Sequence, residues 1–121
     1  MKIKTFASPF SICKLNDCSE VNFMEPFHFY ARTDEEISLV CPTEKAPVNA
    51  LVCDSGWCMF RIEGTLDFSL VGILSKISGI LAEHQISIFA VSTYNTDYIL
   101  VKKENFETAL QHLQAHGFEL I

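Results

Sequence analysis

The sequence is short of arginine: only Arg32 and Arg61 occur, and the seven lysines are scattered along 121 residues. Lys and Arg together number 9 against 15 Asp and Glu, a formal charge of −6. Binding to nucleic acid requires clustered basic side chains facing phosphates, so that class of partner is excluded. The chain also lacks a long apolar run. The richest region, Leu66 to Leu81, contains Asp67, Lys76 and several serines. A membrane-spanning helix needs about 18 or more uncharged apolar residues, so none is expected. At the start, Lys2 and Lys4 resemble a signal-peptide head, but Ser8, Pro9, Ser11 and Lys14 break the apolar stretch that would have to follow. The expected location is the cytoplasm. Gly-x-Ser-x-Gly, phosphate-loop and dinucleotide fingerprints are likewise missing, so no enzyme is expected.

The apolar share, by contrast, is 49%, and mean hydropathy is +0.21. Area scaling predicts roughly 20,000 Å² of exposed surface unfolded and about 6,600 Å² folded, enough burial for a core without covalent staples. Positive mean hydropathy in so small a chain suggests that some apolar surface is covered by a neighbour.

Five cysteines occur, Cys13, Cys18, Cys41, Cys53 and Cys58. An odd number in a chain with a sufficient core does not read as a disulfide framework. The spacings Cys13/Cys18 and Cys53/Cys58 leave two readings, small apolar thiols or part of a metal site. His112 and His116 stand one helical turn apart, as a solvated face or as two ligands lacking a nearby third.

The C-terminal half carries the clearer periodicity. Trp57–Glu63 alternates, with Cys58, Phe60 and Ile62 on one side, and reads as a strand. Leu70, Ile73, Leu74, Ile77, Ile80 and Leu81 recur at three and four, the stripe of a helix ending near His84. Ser69 or Asp67 is its expected N-cap. Ile86–Ser92 is a short β-branched strand, Thr93–Asp97 a turn, and Tyr98–Lys102 a strand. Glu104 and Glu107 open a second helix with the stripe Phe106, Ala109, Leu110 and Leu113, and Gly117 stops it. Phe118–Ile121 is a last strand. The order βαββαβ predicts an α+β, ferredoxin-like antiparallel sheet with both helices on one face. Strand 86–92 is apolar on both sides, so the uncovered face requires a second sheet, from the N-terminal half or another chain, unless it stays open.

The N-terminal half is less regular. Phe10–Cys13, Phe27–Arg32 and Ile37–Cys41 read as strands, and Val48–Cys53 as another, closed by Asp54-Ser55-Gly56. Asp17 and Glu20 have capping-box spacing, which predicts a short helix to Met24. The half resembles a trimmed copy of the C-terminal unit. The expected organisation is a degenerate half over 1–55 and a complete unit over 56–121.

Three strings carry a family resemblance: 32–42 (RTDEEISLVCP), Trp57 with 63–74 (EGTLDFSLVGIL), and 86–101 (ISIFAVSTYNTDYILV). They resemble the ACT-domain family, in particular small prokaryotic proteins built from two ACT-like halves. The eukaryotic cytosolic arginine sensors are similar at a greater distance. The resemblance implies an amino-acid-binding regulatory protein without cofactor or metal. It implies a ligand held where two ACT modules meet, and a homodimer. A ligand-free protein–protein interaction or dimerisation module is the alternative. The loop between the first strand and first helix, with the adjoining strand, implies Asp67, Phe68, Ser69, Leu70, Gly72, Thr93 and Asp97 as ligand contacts. Family loops commonly place two residues between the acid and the glycine; here four separate Asp67 from Gly72. The residues offer their own rationale. Free N–H groups at a helix start attract a carboxylate, Gly72 permits close approach, Asp67 suits an ammonium, and Asp97 suits a cation. The same residues also serve as an ordinary cap and turn: Asp67 as helix cap, Thr93 and Asp97 as turn residues, Gly72 as a packing glycine.

Overall fold

A computed structural model describes residues 1–63 and 72–121. In chain order the elements are β1 (Lys2–Thr5), β2 (Phe10–Leu15), β3 (Phe29–Arg32), β4 (Ile37–Pro42), a 3-10 turn (Thr43–Lys45), β5 (Val52–Ile62), α1 (Ile73–Glu83), β6 (Ile88–Ser92), β7 (Asp97–Lys102), α2 (Lys103–Ala115) and β8 (Glu119–Leu120). They fall into two units, Met1–Ala7 with Cys58–Ile121, and Ser8–Trp57.

The first unit contains the expected βαββαβ order, from β5 to β8. Its strands run β8-β1-β5-β7-β6. β1 is inserted between the first and last strands of that motif, antiparallel to β5 through Ile3↔Ile62 and parallel to β8 through Ile3↔Leu120. The final strand therefore pairs inside its own unit. Periodicity gave no sign of β1, because four residues with two lysines make too short a pattern. Its one buried side chain, Ile3, is wholly enclosed.

Both helices share one core with the sheet. Ile77, Ile80 and Leu81 of α1 and Ala109 and Leu113 of α2 meet Ile3, Phe60, Ile62, Ile99 and Val101. These are the helical stripes and alternate strand residues that burial should select. On the opposite face Met59 and Leu100 are fully buried, while Phe89 and Val91 are half-buried.

Each helix ends in a Schellman motif. After α2, Gly117 (φ 94°) donates to the Gln114 carbonyl and Phe118 N–H to that of Leu113, both at 3.1 Å. After α1, Gln85 donates to Ala82 and Ile86 to Leu81, both at 3.0 Å. Here the left-handed position is held by Gln85 (φ 58°), not glycine.

In the second unit β3, β4, β2 and the start of β5 form an antiparallel sheet. Cys13, Leu15, Leu39 and Cys41 make its core, with Val21, Ile37, Ala46 and Ala50 against them. Ser11 is fully buried, and its hydroxyl is satisfied by Thr43 Oγ1 and Ser55 Oγ, each at 2.8 Å.

Two expectations for this half are corrected. No helix forms over 17–24. Asp17 accepts from Ser19 N–H at 3.0 Å and Ser19 Oγ at 2.6 Å, an Asx turn that competes with helix initiation. Asn22 repeats the device on Met24 N–H at 3.0 Å. Nor does Asp54-Ser55-Gly56 end a strand. β5 begins at Val52 and runs through it. Between Phe10↔Trp57 and Ile12↔Asp54, two steps on β2 face three on β5, so one extra residue is accommodated in a bulge. Gly56, at φ 86°, supplies the conformation.

Candidate functional site

The ligand residues expected from sequence divide in two. Asp67, Phe68, Ser69 and Leu70 lie outside the described residues. Gly72, Thr93 and Asp97 are described, all in the first unit.

Gly72 is the N-cap of α1, so the cap falls neither on Ser69 nor on Asp67. Its backbone is left-handed (φ 84°), and glycine itself brings no side chain to cap the helix. Lys76 N–H donates to the Gly72 carbonyl at 2.7 Å, closing the first turn. A Cβ at this position would meet nothing within 4 Å, so glycine is required by backbone conformation, not by packing.

Thr93 and Asp97 belong to the β6–β7 hairpin. Thr93 N–H donates to the Thr96 carbonyl at 2.8 Å, and its hydroxyl donates to the same oxygen at 3.1 Å. Ser92 and Asp97 are cross-strand partners, and Ser92 Oγ donates to Asp97 Oδ1 at 2.5 Å. Both residues thus perform turn work in the folded chain.

Thr96, which the sequence pattern gives only as part of the turn, is buried, and its Oγ1 donates to the Ile62 carbonyl at 2.7 Å. This bond brings the hairpin turn to the end of β5, close in the chain to the segment that leads into Gly72. The available signal was a threonine between two turn-forming residues, Asn95 and Asp97, with no reason to be buried.

Beside the turn lies a charged and aromatic group. Arg61 stacks over Phe6 at 5.1 Å and over Tyr98 at 5.7 Å. It donates to Tyr98 Oη at 3.4 Å and to the Glu63 carboxylate at 3.3 Å. The Tyr98 hydrogen bond holds its guanidinium above the ordinary value, against some loss from burial. In the sequence pattern Arg61 and Glu63 are simply the positions that alternate with Phe60 and Ile62.

Among the described residues no group of three or more His, Cys, Asp or Glu could hold a metal ion. His116 Nδ1–H donates to the His112 carbonyl at 2.9 Å, and the His112 ring stacks on His84 at 3.3 Å. Among the described residues no helix is long and apolar enough to cross a membrane.

A family model described as ACT domain matches residues 52–115. A Rattus norvegicus protein named cytosolic arginine sensor for mTORC1 subunit 1 is 33% identical over 96 residues, covering 74% of this chain and 29% of its own length. The chain thus spans under a third of the curated relatives it matches. The solved structure of an Agrobacterium tumefaciens protein has a TM-score of 0.82 at 28% identity, covering 99% of this chain and 91% of that one. The ligand-free regulatory subunit of aspartate kinase from Thermus thermophilus has a TM-score of 0.63 at 10% identity, covering 93% and 95%. That last likeness is one of fold.

Proposed function

Because the chain belongs to the ACT-domain family, we propose that it is an amino-acid-binding regulatory module and not an enzyme. A curated relative is named as an arginine sensor, which supports regulation over catalysis. The finer reading puts the ligand at the end of β5, between Asp67–Gly72 and the Thr93–Asp97 turn. An ACT module of a second copy would close it in a cytoplasmic homodimer.

The observation that carries this reading is the 2.7 Å hydrogen bond from Thr96 to Ile62. It fixes the turn bearing Thr93 and Asp97 at the strand end from which the chain leaves towards Gly72. A ligand carboxylate would take N–H groups at the opening of α1, where the helix dipole favours an anion. Asp67 would pair with the α-ammonium, and Asp97 with a cationic side chain, which puts arginine first among ligands to try.

The test is thermal denaturation of the full chain with each of the twenty amino acids at millimolar concentration. A ligand present at 100 times its dissociation constant adds about 2.7 kcal/mol of stability. An amino acid that raises the melting temperature supports the reading. If none does, the ligand-free interaction module takes its place.

A further inference from the structure

Cys13 and Cys18 lie close in sequence, as do Cys53 and Cys58, but strand register brings together a different pair. Cys13 on β2 and Cys53 on β5 are direct cross-strand partners. Their sulfurs are 2.7 Å apart. That is about 0.7 Å beyond a covalent S–S bond. Directly opposed residues of antiparallel strands have α-carbons about 4.5–5.5 Å apart, within the range of about 4.4–6.8 Å that a disulfide spans. The backbone therefore needs no rearrangement to bridge them.

The two thiols differ in access. Cys13 is buried in the core of the second unit, whereas Cys53 is exposed. A third thiol, Cys41, is buried in the same core on β4. Burial pushes Cys41 up to about 11 and raises Cys13 further, with the Cys53 hydrogen bond adding to it. Reactivity with an oxidant belongs to the thiolate, so the buried thiols are poor first reactants and the exposed one is the point of attack.

We propose that Cys13 and Cys53 are a reversible redox pair, Cys53 meeting a peroxide oxidant and Cys13 resolving the product. The Cys53 thiolate attacks one peroxide oxygen. An S–O bond forms, the O–O bond breaks, and the departing hydroxide takes a proton to leave as water. Cys53 is then a sulfenic acid. Cys13 sulfur attacks Cys53 sulfur, the S–O bond breaks, and the second hydroxide leaves as water with the Cys13 proton. Two thiols have lost two electrons and the peroxide has gained them. A dithiol reductant reverses the step by exchange. The bridge would close a loop across 40 positions and pin β2 to β5 beside the Gly56 bulge.

The test treats the reduced full chain with stoichiometric hydrogen peroxide and maps it by mass spectrometry without reduction. The expected product is lighter by two hydrogens, carries a Cys13–Cys53 linked peptide, and reverts with dithiothreitol. Its melting temperature should rise, on the order of 10 °C for a loop of this length. Cys53→Ser, at an exposed position, should abolish the link with the circular dichroism spectrum unchanged. Cys18→Ser and Cys58→Ser should preserve it, which makes the assignment independent of how any one variant folds. A link through Cys41, Cys18 or Cys58, a dimer joined between chains, or sulfinic acid on Cys53 without a link would overturn the proposal.

Discussion

Thr96 Oγ1 and the Ile62 carbonyl, 34 residues apart in sequence, are joined by a buried hydrogen bond of 2.7 Å. Replacing Thr96 with valine keeps the shape and strands the carbonyl. An unsatisfied buried acceptor costs about 1–3 kcal/mol. In urea unfolding, Thr96→Val should lower the unfolding free energy by that amount, seen as a lower midpoint with no change in slope. An unaltered midpoint would mean that water replaces the threonine and that the turn is not anchored there.

Binding and stability should separate at the candidate ligand residues. Asp97 sits in a partly open hairpin, so Asp97→Ala should change stability by only about 0.5 kcal/mol. If the proposed function is right, Asp67→Ala and Asp97→Ala each remove the thermal shift given by the active amino acid. Ligand-induced stabilisation that survives both substitutions places the site elsewhere.

Two left-handed positions should respond in opposite senses. Gly72 lies at φ 84° with open space around it, so Gly72→Ala meets strain without a clash and should lose about 1 kcal/mol. Gln85 occupies the left-handed position after α1 at φ 58°, so Gln85→Gly should gain about 0.5–1 kcal/mol. Melting curves of both variants check the signs. The expectation for Gln85 fails if the glycine variant is the less stable.

Cys41 gives a prediction at alkaline pH. Its folded value is raised from 9.0 to about 11 by burial, with charge on Cys53 adding to it. Between those values the unfolded chain has released the proton and the folded chain retains it. The stabilisation is complete below pH 9 and is lost as pH rises through 11. Urea midpoints should therefore fall from pH 8 to pH 10.5, and less steeply in Cys41→Ala. Equal slopes in the two proteins would show that the buried thiol does not contribute.

What could be read from the residues followed the length and period of each pattern. The α1 stripe Ile77, Ile80 and Leu81, the Gly117 stop and the Thr93–Asp97 turn all stand out because local chemistry decides them. Two misreadings came from signals with more than one outcome. Asp17 and Asn22 bond to their own backbone two residues on, which outweighs capping-box spacing in a segment with no apolar stripe to bury. Asp54-Ser55-Gly56 has turn composition, but pairing of β5 with β2 turns it into a bulge. Pairing itself leaves no local trace. Hence β1 was unread, as was the meeting of Cys13 with Cys53. The candidate site was half legible. Gly72, Thr93 and Asp97 follow from turn and helix chemistry, whereas Thr96 and the Arg61 group emerge only once β5 and the hairpin lie together.

The insertion of β1 next to β8 also bears on how the chain reaches this fold. Lys2 pairs with Glu119, so residues far apart in sequence must meet. The β1–β5 ladder cannot form until Phe60 to Ile62 exist. Such widely separated pairings carry a large loop-closure cost before they return any contact energy, and chains that depend on them fold slowly. β1, an interior strand next to β8, is thus among the last to be zipped in. Until then the edges of β5 and β8 stay unpaired, which marks the newly made chain, more than the finished one, as the form in need of protection from aggregation.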